Sequence, residues 1–77
     1  MHKGVVKWFN KDLGYGFIQV SPSLKFELGL APEADLYVHA ADVVMPFPKM
    51  LVEGQRVRFG VTRAERGWRA TQVEVLR

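Results

Sequence analysis

The chain contains no cysteine, so neither a disulfide nor a thiolate-bound metal can staple it. Its two histidines, His2 and His39, lack the spacing of a zinc site, and no metal is expected. No stretch approaches the roughly 18 apolar residues of a membrane span, and no signal-peptide pattern opens the sequence. A cytoplasmic setting and no membrane partner are the resulting expectations. Catalytic groupings are missing too. The acids are scattered without paired carboxylates, and Ser21 and Ser23 flank Pro22 with no local base. Gly14-x-Gly16 is too short for a phosphate loop. Neither enzyme activity, a cofactor nor a small-molecule substrate is expected.

The 77 residues amount to a single domain, residues 1–77, near the lower limit for a self-sufficient core. The net charge of +3 is unevenly spread. Residues 1–20 carry three lysines against Asp12, and residues 54–77 carry six arginines against Glu65 and Glu74. Between them, residues 21–53 carry Lys25 and Lys49 against five acids. A polyanion would therefore lean on the two ends of the chain.

The apolar residues follow strand patterns. Lys3 to Asn10 is β-branched and aromatic and reads as a first strand, although alternation does not settle which of Val5, Val6, Trp8 and Phe9 face inward. Asn10 to Gly14 is a tight turn and Tyr15 to Val20 a second strand, so the two form a hairpin. Ser21-Pro22-Ser23 ends it. Residues 24–34 read either as a short strand, with Leu24, Phe26 and Leu28 alternating, or as a single helical turn. Asp35 to Ala40 is a third strand, and Ala41 to Val44 forms a turn of helix. A fourth strand carries Val57, Phe59 and Val61. A polar loop at Arg63 to Gly67 leads to a fifth strand, Trp68 to Leu76, with Val73 and Val75 in the core. Five short strands without a long amphipathic helix predict an all-β barrel or sandwich, and a chain this small can protect its edges by closing into a barrel.

Side chains two apart on a strand share a face. Tyr15 and Phe17 therefore project from one side, with no side chain between them at Gly16, and Tyr37 and His39 do the same on the third strand. Trp8 is a fifth ring, with Lys7 beside it. One outward ring is ordinary packing; several converging on one face with a nearby cation predict a platform for nucleic-acid bases.

These motifs resemble the cold-shock domain family. Lys7-Trp8-Phe9-Asn10 is similar to its first-strand signature, Gly14-Tyr15-Gly16-Phe17-Ile18 to its first ribonucleoprotein motif, and Leu36-Tyr37-Val38-His39 to its second. Glu53-Gly54-Gln55 and Arg66-Gly67 also fall where the family has similar residues. The resemblance implies a five-stranded antiparallel OB-fold barrel that binds single-stranded RNA or DNA by base stacking with weak sequence preference, as an RNA chaperone or a regulator of transcription or translation. It implies stacking by Trp8, Tyr15, Phe17, Tyr37 and His39, with Lys7 beside the backbone and Asn10 on the rim. Phe47 lies in a loop that often carries an aromatic in the family. A monomer is expected, with a dimer left open.

The chain departs from the family pattern at several places. Leu13 stands where lysine is usual, and Ala40 where a phenylalanine usually follows the histidine. Trp68 stands near a position that is often proline, and adds stacking area. The loop at about 21–34 is longer than the family's. The RRM shares the Gly-aromatic-Gly-Phe run but needs two amphipathic helices that no segment here supplies. The alternative function is an OB-type protein-interaction module using the apolar 24–30 loop, with Leu24, Phe26, Leu28 and Leu30.

Overall fold

A computed structural model describes residues 1–46, 49–65 and 67–76. It contains five strands: β1 (His2–Asn10), β2 (Tyr15–Gln19), β3 (Leu36–His39), β4 (Arg56–Ala64) and β5 (Gly67–Val75). They close into a barrel in the order β1-β2-β3-β5-β4. The β1–β2, β2–β3, β1–β4 and β4–β5 pairs are antiparallel. The closing contact is different: β3 meets β5 in parallel, with Tyr37 opposite Arg69. An isolated parallel bridge from Val43 to Val73 extends this closure beyond β3.

Period-two alternation accounts for the inner surface of β2, β3 and β4, whereas on β5 a register shift, with Gln72 at φ 47°, sets the buried Ala70 and Val73 three residues apart. Ile18, Leu36 and Val38 are fully buried, as are Val57 and Phe59 on β4 and Ala70 and Val73 on β5. Val61 and Val75 are half-buried and pack against this core. On β1 the alternation is broken. Val6 pairs with Ile18, but the next pair is Trp8 with Phe17, so Lys7 is an extra residue with no partner on β2. Such a bulge reverses the faces beyond it. Val6 points inward at 1% exposure, Lys7 and Trp8 point outward, and Phe9 turns back toward the core. That resolves the facing that the sequence left open.

Residues 22–28 form a helix, α1 (Pro22–Leu28), so the strand pattern of Leu24, Phe26 and Leu28 does not decide this segment. Its end signals do. The Ser21 hydroxyl accepts the Leu24 N–H at 3.2 Å as N-cap, and Pro22 occupies the first turn, where its missing N–H costs nothing. At the other end Gly29 adopts φ 72°, and the N–H groups of Gly29 and Leu30 bond back to the carbonyls of Phe26 and Lys25, closing the last turn. Leu24 enters the core and Leu28 packs on it, which anchors the helix; Phe26 stays 88% exposed. The helical turn expected at Ala41 to Val44 is present as a 3-10 turn one residue earlier, Ala40–Asp42.

Candidate nucleic-acid interface

The bulge at Lys7 sets the geometry of the outer face of β1, β2 and β3. In unbroken register Trp8 would follow Val6 into the core; shifted, it lies beside Phe17. The antiparallel β2–β3 ladder pairs Phe17 with Tyr37 and Tyr15 with His39. Trp8, Tyr15, Tyr37 and Phe17 thus form a ring of rings. Their centroids are 5.5 Å apart for Trp8–Tyr15, 6.0 Å for Tyr15–Tyr37, 5.9 Å for Phe17–Tyr37 and 5.3 Å for Trp8–Phe17. The interplanar angles run from 31° to 82°, so the rings meet tilted or edge-on rather than stacked on each other. That arrangement is favourable between aromatic quadrupoles, and it leaves ring faces for a flat ligand. Beneath the rings, Gly16 is buried against β1: a Cβ there would lie 2.2 Å from the Trp8 carbonyl oxygen and 2.7 Å from the Phe9 Cα. The close approach of the two strands depends on the absent side chain.

The polar residues around this face are partly engaged. Lys7 Nζ donates to Asp35 Oδ2 at 2.9 Å, so its charge is already met by an acid from the chain's acidic middle. Asn10 Oδ1 accepts the N–H groups of Asp12 and Leu13 at 3.0 and 2.9 Å, which builds the β1–β2 turn. His39 is exposed and accepts the Ala41 N–H at Nδ1, 3.1 Å away; its ring joins none of the aromatic pairs among the described residues. Leu13 is 65% exposed at the turn. Ala40 is half-buried, and its N–H donates to the Gly14 carbonyl at 2.8 Å. Phe47 and Arg66, two of the residues singled out in the sequence, lie outside the described residues.

Trp68 sits apart from the four rings. It packs against the core from β5, and the Arg63 guanidinium, its partner in β4–β5 register, lies 5.2 Å from its ring centroid. A groove of about 540 Å³ separates it from the platform, with Phe17 and Tyr37 on one side and the hairpin residues Ala64, Glu65, Gly67, Trp68 and Arg69 on the other. Arg69 pairs with Asp42 at 3.6 Å. The sequence did not mark Arg63, Glu65 or Arg69. The signal for Arg63 was its place opposite Trp68 across a short hairpin, which becomes visible only once the turn register is known.

Comparison with known proteins agrees with this geometry. The family model for the "'Cold-shock' DNA-binding domain" matches residues 2–76. The chain belongs to that family. It is 42% identical over 74 residues to a cold shock-like protein of Aquifex aeolicus (strain VF5), covering 96% of this chain and 93% of that one. It is 38% identical over 79 residues to the cold shock-like protein CspA of Bordetella pertussis, covering 99% of this chain and all of the relative. It is also 38% identical over 73 residues to the cold shock protein CspA of Staphylococcus aureus (strain USA300), covering 95% and 96%. Among solved structures, "drosophila Unr CSD456" superposes with a TM-score of 0.68 at 18% identity, over 99% of this chain and 26% of that one, a likeness of fold. Cold-shock domains are nucleic-acid-binding, and the outer face of β1 to β3 is where this member gathers its rings. Among the described residues, no helix is long and apolar enough to cross a membrane.

Proposed function

We propose that this cold-shock domain, acting as one unit over residues 1–77, holds single-stranded RNA or DNA by stacking bases on Trp8, Tyr15, Phe17 and Tyr37. The observation that carries this reading is the four-ring cluster on one outer face, with a cation, Lys7, at its edge. His39 and Asn10 border the same face, and Phe47, Arg66 and Trp68 extend the proposed contact set. Stacking contributes roughly 1–3 kcal/mol per base and tolerates any base, because every base has a π-face. A few such contacts reach micromolar or tighter binding after ordering costs. A stacked base cannot re-pair, so binding shifts an RNA from hairpin toward open strand without nucleotide hydrolysis. The role that follows is an RNA chaperone or a regulator of transcription or translation, working in the cytoplasm as a monomer. The alternative of protein docking on the 24–30 segment is weaker, because Leu24 and Leu28 are committed to the core and Phe26 is the one exposed ring of that segment.

The test is a tryptophan-fluorescence titration with oligo-dT across a salt series, alongside a hairpin RNA labelled at both ends. With Lys7 and Arg69 already facing acids, we expect a shallow dependence, a log–log slope between about −1 and −3, at about −0.7 per neutralised phosphate. The hairpin should open on adding protein alone. A steeper slope would mean that phosphate contacts dominate over stacking. Absence of oligo-dT binding, or a hairpin that stays closed at saturation, refutes the reading.

A further inference from the structure

The groove beside Trp68 has a chemistry that the platform lacks. Phe17 and Tyr37 belong to both, so a strand laid across the four rings runs directly into it. Its far wall is a ring held in place before any ligand arrives, because Trp68 packs against the core and Arg63 lies over one of its faces at 5.2 Å. Ordering costs at such a wall are small. The volume of about 540 Å³ accommodates a base with its sugar.

The groove is also lined by a carboxylate, Glu65. An acid repels phosphate, but it can accept from base N–H groups. An ionised carboxylate accepts and cannot donate, and its two oxygens suit two parallel donors. Among the bases only guanine presents two adjacent donors on its Watson–Crick edge, N1–H and N2–H₂. Adenine and cytosine place a ring-nitrogen acceptor beside the donor, and thymine and uracil set one N–H between two carbonyls. Arg69, paired with Asp42 at 3.6 Å, lies on the same wall.

We propose that the groove between Phe17–Tyr37 and Trp68 is a subsite for one guanine base, stacked on Trp68 and read by Glu65. This rests on the single-strand reading above and adds one position of sequence preference to a platform that otherwise has little. The test uses oligo-dT heptamers carrying a single dG moved through each position. One position should gain at least about fivefold in affinity over dT, the low end for a bidentate side chain–base pair. Glu65→Gln should bring that dG-to-dT ratio back to about one, and Glu27→Gln, on α1, should leave it intact. In a Trp8→Phe protein the remaining tryptophan, Trp68, should change its emission as the preferred oligonucleotide saturates. A flat dG series, a preference that survives Glu65→Gln, or unmoved Trp68 emission overturns the subsite. If oligo-dT binds and the dG series is flat, only the subsite fails; if oligo-dT does not bind, both readings fail.

Discussion

Two parts of this molecule expose aromatic rings, and they differ in almost every other respect. On the outer face of β1 to β3, four rings stand 5.3–6.0 Å from their neighbours, fixed by strand register and backed by a buried glycine. On α1, Phe26 stands at 88% exposure beside Glu27, in the acidic middle of the chain. It shares a groove with Pro22, Lys25, Leu30 and Pro32. The first arrangement offers several faces at a spacing set by the sheet, beside the Lys7–Asp35 pair. The second offers one ring between Lys25 and Glu27. Exposure is common to both, so exposure is not what makes a binding face; convergence is.

The backbone beneath the two regions gives the largest expected contrast. Gly16→Ala drives a methyl into the Trp8 carbonyl and the Phe9 Cα, neither of which can move without opening the hairpin. We expect a loss of about 3 kcal/mol or more, the upper end for overpacking. Gly29→Ala meets open space and suffers only from its φ of 72°, at about 1–2 kcal/mol. Thermal unfolding of both proteins decides the matter; equal losses would break the comparison.

Side-chain truncation is the next test. Phe17→Ala should weaken oligo-dT binding by roughly 1–3 kcal/mol, while costing less stability than the about 3–5 kcal/mol of a buried Phe→Ala. Phe26→Ala should leave affinity where it was. If both truncations weaken binding alike, the bound strand reaches α1 and the contrast between the regions collapses.

The smallest effect concerns the acid that meets the platform's cation. Asp35→Asn releases Lys7 from a 2.9 Å ion pair. With Lys7 half-exposed, the gain in low-salt affinity should stay below about 1 kcal/mol, as for surface pairs. The salt slope should steepen by about 0.7, one more phosphate partner. An unchanged slope would show that Lys7 stays off the phosphates with or without Asp35.

The rings of β2 and β3 were legible in the sequence because their facing depends only on i to i+2 alternation, a property of any extended chain. Tyr15, Phe17 and Tyr37 needed no partner to be placed on one side. His39 shares their side by the same rule, yet its Nδ1 is engaged by the Ala41 N–H, a bond that depends on the 3-10 turn behind it. The ends of α1 were also written locally, in Ser21-Pro22 and Gly29. The alternation of Leu24, Phe26 and Leu28 competed with them, because three apolar residues two apart satisfy a strand pattern even when only Leu24 is fully buried.

The sequence by itself thus determined a five-stranded chain with two outward pairs of rings, because turn residues and period-two alternation act within a few residues. Tertiary structure decided where Trp8 points, what Lys7 meets and what Trp68 lines. Trp8 reaches the platform only because Lys7 is left unpaired opposite Val6–Trp8's partners on β2. Lys7 meets an acid 28 positions away. Trp68 borders Phe17 and Tyr37 only because β5 closes the barrel against β3 in parallel. Each of these depends on which strands pair and in what register, and a strand's own residues do not name its neighbour.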